Sequence, residues 1–351
     1  MAYTYPIDPK AMFEDRSSQF VSFGLSLSAV TMVRDDVTDM WADAPGGWPY
    51  EWSQLARGYA DQGEHFLASL AYGCAKFPCL ADAAKRQALE HQIAEYVAAA
   101  PTFPVRFDRR TLSVAYQGGK AEVPVHLMTT AESYADAPIL IASGGVDTWK
   151  MDIHTMCLAF AQNAGVSVLV FDQPGTGEMP VPLTHDADEL VLGLTREARS
   201  LGDGRVAHYA MSFGANFAAM TGLLEAVDAA IVLGAPIDGA FSRESSEKLP
   251  YGMKDIVGNA IGFDHQPTTD EYLDAAAQLS RRELLERPAN APMLIINGAD
   301  DYFVPQEDTL AFKGRPNTEV QLIPGTGHCA ISKMGEVMPT MIGWLRGQFD
   351  P

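Results

Sequence analysis

Residues 208–216 read HYAMSFGAN. Ser212 stands in the middle, with Ala210 two places before it and Gly214 two places after. The residues leading in, VAHYAM, are apolar and strand-like; those leading out, NFAAMTGLLEA, read as a helix. A serine between small residues at a sharp strand-to-helix turn is the pattern of a nucleophile elbow, although alanine here takes the place of the usual first glycine. The competing reading is a serine that caps a helix. Whether the rest of the chain supplies partners for a nucleophile, in the right order, separates the two.

Working outward, the chain from about residue 105 repeats strand, loop and helix. PILIAS, VSVLVFD, AAIVLGAP, PMLIING and VQLIPGTGH begin as short apolar runs, and each leads into a turn with glycine, aspartate or proline. Runs of this kind read as strands buried on both faces, with helices between them. That alternation implies an α/β fold with a mostly parallel sheet covered by helices. In such a sheet the functional loops gather at the carboxyl ends of the strands.

Those loops hold the partners a serine needs. A serine hydroxyl is a weak nucleophile without a base, and the base needs a carboxylate to orient it. After PMLIING comes ADDYFVPQED, where Asp301 lies four residues before Pro305 and Asp300 is its neighbour and competitor. After VQLI comes His328, in a glycine-rich loop that leads into a helix. The order serine, aspartate, histidine is the one an elbow of this kind requires. An oxyanion would need two backbone N–H groups. Phe213, next after the serine, is one candidate. The loop GGVDTW after PILIAS offers Val146, with Gly145 as the alternative.

Other readings are less well supported. SGG is not a dinucleotide fingerprint, and FDQPGTGEMP lacks the lysine and hydroxyl residue of a phosphate loop. No metal-ligand spacing joins the eight histidines or the four cysteines, Cys74, Cys79, Cys157 and Cys329, so no cofactor or metal is expected. The chain of 351 residues carries 25 basic and 45 acidic residues, a net charge of −20. Such acidity argues against nucleic acid or an anionic membrane as partner. No apolar run is long enough to span a bilayer and no secretory leader is evident, so a cytoplasmic protein with reduced thiols is expected.

The first hundred residues have a different texture. ADAAKRQALEHQIAEYVAAA and EWSQLARGYADQGEHFLASLAYGCAKF carry apolar residues at helical spacing, and Pro101 and Pro104 close the region. Its aromatic residues, Trp41, Trp48, Trp52, Phe66 and Phe77, are read either as pocket lining or as helix–helix packing.

SGGVDTWKMD, FDQPGTGE, AMSFGAN, NGADDYFVP and GTGHCA, with EHFLASLAYGCAKF in the helical part, make the chain resemble a known family. It is similar to the α/β-hydrolases with an N-terminal helical domain. These include the 2,6-dihydroxypseudooxynicotine hydrolases, the fermentation–respiration switch proteins and the fungal polyketide-shortening hydrolases. The resemblance implies an α/β-hydrolase domain over 105–351, with a helical excursion at about 240–290, and a helical lid over 1–104. It implies Ser212 as nucleophile, Asp301 as orienter and His328 as base. It also implies an auxiliary acid, for which Asp238 is nearest a strand end and Glu244 and Glu247 are further candidates.

The expected activity is that of a serine hydrolase. Its substrate is a small aromatic or polyketide-like carbonyl compound, cleaved at an ester or at a carbon–carbon bond beside a ketone. Acyl transfer or cyclisation by the same triad, and a non-catalytic binding protein on the same scaffold, are the alternatives. A homodimer is left open.

Overall fold

The computed structural model describes residues 2–349. The chain divides into two units. One comprises residues 1–104, 151–154 and 250–267; the other comprises residues 105–150, 155–249 and 268–351.

The second unit is built on one sheet. Its strands are β1 (Arg106–Tyr116), β2 (Gly119–Thr129), β3 (Ile139–Ser143), β4 (Ser167–Phe171), β5 (Val206–Met211), β6 (Ala229–Leu233), β7 (Met293–Gly298) and β8 (Thr318–Ile323). They lie in the order β1-β2-β4-β3-β5-β6-β7-β8. From β4 to β8 every pairing is parallel. β1 and β2 form an antiparallel hairpin, and β2 runs antiparallel to β4.

The six apolar runs read from the sequence are the six parallel strands. All residues of β3 to β7 are buried, as a sheet covered on both faces requires. The hairpin was not legible in the same way, because β1 is largely exposed and lacks a buried apolar run. Its turn carries Gln117 and Gly118, both at positive φ (47° and 72°), which suits the tight connection between twisted strands.

Helices cover the sheet. Ala187–Leu201 buries Ala187, Leu190, Val191, Leu194 and Ala198, a stripe at three- and four-residue spacing, and packs on β1 and β3. Gly214–Leu223 is buried along its whole length between β5 and β6. The excursion between β6 and β7 contains the helices Arg243–Glu247, Met253–Ile261, Thr269–Ala277 and Arg282–Leu285. Thr268 and Glu271 cap the third of these reciprocally.

The helical unit contains Pro9–Phe23, Leu27–Asp36, Trp48–Asp61, His65–Lys76, Ala83–Ala99 and Met253–Ile261. Its core settles the two readings of the aromatic residues. Trp48 and Trp52 have no exposure, and Phe13, Phe20 and Phe77 are buried with them; Trp41 and Phe66 pack against the same cluster. The rings of Phe13 and Trp48 are 4.4 Å apart between centroids, and those of Phe20 and Trp52 are 5.5 Å apart at near right angles. Trp48 Nε1 donates to the Cys74 carbonyl at 2.7 Å, which satisfies its one polar group. These residues are helix–helix packing.

The same unit buries a charged group, Asp152. Lys76 donates to it at 2.7 Å and Gln92 at 2.8 Å. Among the described residues no helix is long and apolar enough to cross a membrane.

Candidate active site

The turn between β5 and Gly214–Leu223 is strained. Ser212 adopts φ 54°, a region that non-glycine residues rarely enter. The surroundings explain the small residues on either side. A Cβ on Gly214 would lie 2.1 Å from the Gly144 carbonyl oxygen, so only glycine fits. Ala210 has no exposure and sits within β5, registered with Ser143 on β3 and Val232 on β6. The strand accommodates its methyl group.

Parallel pairing from β3 to β8 brings the carboxyl ends of these strands to one edge. Ser212 follows β5, Asp301 follows β7 and His328 follows β8. Although 116 residues apart in sequence, His328 Nε2 and Ser212 Oγ are 2.9 Å apart. His328 Nδ1 is 2.7 Å from Asp301 Oδ2. One tautomer serves both contacts. With the proton on Nδ1, the ring donates to Asp301 and Nε2 accepts from the serine hydroxyl.

The Asp301 carboxylate is fully enclosed. Its Oδ1 accepts the amides of Phe303 at 2.8 Å and Val304 at 3.2 Å, and its Oδ2 also accepts Asn297 Nδ2 at 2.8 Å. Burial alone would raise its pKa. The charge of His328 and its bond, with those of Asn297 and Phe303, hold it below the ordinary carboxylate value. Burial would likewise lower the imidazole, but the Asp301 charge prevails and raises His328 well above its usual value. Asp300, the competitor, is exposed, and its amide donates to the Thr326 carbonyl at 3.0 Å.

Asn297 was not singled out in the sequence. It occupies β7, and its Oδ1 accepts the amides of Gly298 at 2.9 Å and Cys329 at 3.0 Å. One side chain thus holds both the Asp301 carboxylate and the residue after His328. Cys329 and Ala330 both have positive φ, 55° and 49°, so the loop that presents the imidazole is itself strained. An asparagine in an apolar strand, four residues before a site aspartate, is the signal that was available.

The loop after β3 meets the serine. A Cβ on Gly145 would lie 2.7 Å from Ser212 Cβ and 2.8 Å from Ser212 Oγ, so the backbone there runs directly beside the hydroxyl. Val146 is buried, and its carbonyl accepts Trp149 Nε1 at 3.0 Å. Phe213 immediately precedes the helix Gly214–Leu223, and its carbonyl accepts the Asn216 amide at 3.1 Å.

The acids beyond β6 are engaged elsewhere. The carboxylate of Asp238 pairs with Arg282 and accepts from Ser280 Oγ at 2.6 Å. The Arg282 bond is the main cause that lowers the pKa of Asp238. Its loop hangs on Asp308, whose carboxylate accepts the amides of residues 237 to 240 at 2.7 to 3.3 Å. Glu244 pairs with Lys248 at 2.7 Å and Glu247 with Arg243 at 3.5 Å, all on the exposed surface. The structure brings Ser212, Asp301 and His328 together and directs these three acids to other partners.

Comparison with known proteins agrees with this architecture. Residues 21–317 match the family model described as esterase FrsA-like. Esterase FrsA of Photobacterium profundum is 26% identical over 302 residues, which is 79% of this chain and 71% of that protein. Esterase FrsA of Yersinia pestis (strain Pestoides F) is 28% identical over 285 residues, 75% of this chain and 68% of that protein. Among solved structures, the crystal structure of 2,6-dihydroxy-pseudo-oxynicotine hydrolase superposes with a TM-score of 0.76 at 22% identity, covering 93% of this chain and 94% of its own. AbyA5 superposes with a TM-score of 0.77 at 19% identity, covering 95% and 98%. The family match covers most of the sequence, so the chain is an α/β-hydrolase enzyme and belongs to the FrsA-like esterase family.

Proposed function

We propose that the protein hydrolyses a small carbonyl substrate, in the first instance an ester, through an acyl-enzyme on Ser212. The observation that carries this reading is the continuous chain of contacts from Asp301 through His328 to Ser212, at 2.7 and 2.9 Å. Ser212 Oγ attacks the carbonyl carbon while its proton passes to His328 Nε2. The carbonyl π pair moves to oxygen, which the amides of Phe213 and of Val146 or Gly145 receive. When the carbonyl re-forms, the bond to the leaving alkoxide breaks and His328 returns the proton to it. Water, deprotonated by the same nitrogen, then attacks the acyl carbon, and Ser212 leaves with the proton restored.

Cleavage of a carbon–carbon bond beside a ketone differs only in the leaving group, a carbanion that His328 protonates. The neutral Nε2 is the working base. With Asp301 raising the imidazole, this reading expects the acid limb of the rate profile above the ordinary histidine value.

In the same reading residues 1–104 form a lid for the catalytic domain of 105–351, and the substrate is compact, aromatic or polyketide-like. The chain re-enters the helical unit at residues 151–154, directly after the loop of Gly145 and Val146, and this favours a coupled role. The reading also includes a cytoplasmic setting. The four cysteines, free and buried, are consistent with it.

A fluorophosphonate probe tests the reading. It should label Ser212 in the intact protein, and Ser212→Ala should abolish the label. Incubation with a p-nitrophenyl ester and, separately, a 1,3-diketone then tells ester from carbon–carbon cleavage by the products. Labelling that survives in Ser212→Ala would overturn the assignment.

A further inference from the structure

We infer that Lys150 is a positioning residue for the oxyanion hole, acting through a buried clamp formed with Asp172, Glu178 and Arg109. The inference rests on the proposed function, because it concerns the loop that would supply one of the two amides.

That loop, residues 144–150, is tightly turned. A Cβ on Gly144 would lie 1.9 Å from the Thr148 carbonyl oxygen, so the loop folds back on its own first residue. Its last residue is pinned twice. The Lys150 amide donates to Asp172 Oδ1 at 2.9 Å, and Lys150 Nζ pairs with Asp172 Oδ2 and with Glu178 Oε2, the latter at 2.7 Å. Asp172 Oδ2 also accepts the Glu178 amide at 2.9 Å. Arg109, on β1, then grips Glu178 with both terminal nitrogens, at 2.8 and 2.6 Å. Gly177 permits this closure. It has φ 53°, and a Cβ there would lie 2.2 Å from Asp172 Oδ2.

Two cations and two carboxylates thus join β1, the loop after β4 and the loop after β3. Lys150 has no exposure and Asp172 is 1% exposed. Glu178 is held as an anion. Burial opposes this, but Arg109 and Lys150 lower its pKa to about 2. A buried network of this kind is a poor source of stability, since well-packed apolar residues often do as well. What it supplies is a unique geometry. In the sheet β4 lies beside β3, and β3 beside β5. The clamp therefore fixes the β3 loop against its neighbour on one side while Gly145 faces Ser212 on the other. Donors held in place before the reaction need no reorganisation when the oxyanion forms.

The test compares Lys150→Met and Glu178→Gln with wild type in the full-length protein. It measures hydrolysis of a p-nitrophenyl ester, its pH profile and the rate of fluorophosphonate labelling. Lys150→Met should lower kcat by about 10- to 100-fold, with KM within twofold and the acid limb unmoved. The labelling rate should fall by the same factor, because phosphonylation uses the same hole. Glu178→Gln, which keeps the shape of the clamp, should lower both by about three- to tenfold, and it decides the matter if Lys150→Met does not fold. Wild-type kcat in a folded variant, or a change confined to KM or to the pH limb, overturns the inference. If Ser212 labels normally in wild type and both variants match it, this inference alone fails. If Ser212 does not label at all, the proposed function falls and this inference falls with it.

Discussion

Lys85 in the helical unit and Lys150 in the sheet unit are both wholly buried, and they are held in opposite ways. Lys150 meets two carboxylates. Lys85 donates to the Phe77 carbonyl at 2.6 Å and lies 4.9 Å from the centre of the Trp41 ring. Burial lowers its pKa to about 8 against the pull of Asp82. The helical interior is organised for packing; besides the matched pair of Lys76 and Asp152 it tolerates an under-compensated charge at Lys85. The interior at the carboxyl edge of the sheet is organised for geometry, and its charges are matched. Substitutions in the first region should therefore move stability, and those in the second should move rates.

The sharpest separation is expected at Ser212. Ser212→Ala should reduce turnover of a p-nitrophenyl ester on the order of 10⁴- to 10⁶-fold, with a melting temperature within a few degrees of wild type. A loss of stability comparable to the loss of rate would break the contrast at its strongest point.

Next in size is Asp301→Asn, expected to lower kcat by about 10³- to 10⁴-fold, because an amide favours the wrong imidazole tautomer. It also removes the charge that raises His328, so the acid limb of kcat/KM should move to lower pH. The sign follows from the base being the neutral form. A raised imidazole needs a higher pH to become active, and an unassisted one needs less. Asp300→Asn, at an exposed position, should stay near wild type in both rate and profile. Equal effects at the two aspartates would overturn the choice between them.

The mirror image belongs to the helical core. Trp48→Ala empties a fully buried site and should destabilise the fold by about 3–5 kcal/mol. The folded fraction should retain kcat within about threefold if the region acts by packing alone. Chemical denaturation and a rate measured well below the transition would check the two halves separately.

The smallest effect tests the tolerated charge. Lys85 has a folded pKa below its unfolded value, so its burial penalty is fully present below about pH 8. Stability should rise as pH increases toward the ordinary lysine value, where the penalty vanishes. Lys85→Met should therefore stabilise the fold at pH 7, by at most about 3 kcal/mol, and by little near pH 10, as melting temperatures at the two pH values would show. A destabilised variant at pH 7 would mean that the bond to Phe77 outweighs the desolvation.

Much of the sheet unit was legible because its signals are local. A buried parallel strand is a short apolar run, and an elbow needs small residues on both sides of a strained serine; both are visible in a few adjacent letters. The helical pattern of the first hundred residues was legible for the same reason, through its spacing of apolar residues. The β1–β2 hairpin was not, since an edge strand facing solvent carries no such run.

The sequence alone therefore determined the α/β class, the helical N-terminal region and Ser212, Asp301 and His328 as the residues to examine. The tertiary structure decided what each buried polar group meets. Asn297 bridges Asp301 and Cys329, Asp238 turns to Arg282, and Lys150 closes on Asp172 and Glu178. It also decided that Trp48 and Trp52 fill a core and do not line a pocket. The physical reason is range. Periodicity and turn strain act between residues a few places apart. The partner of most buried charges and rings is chosen by strand order and helix packing, which join residues far apart in sequence and leave no mark in either stretch by itself; Asn297, four places before Asp301, is the exception with a local signal.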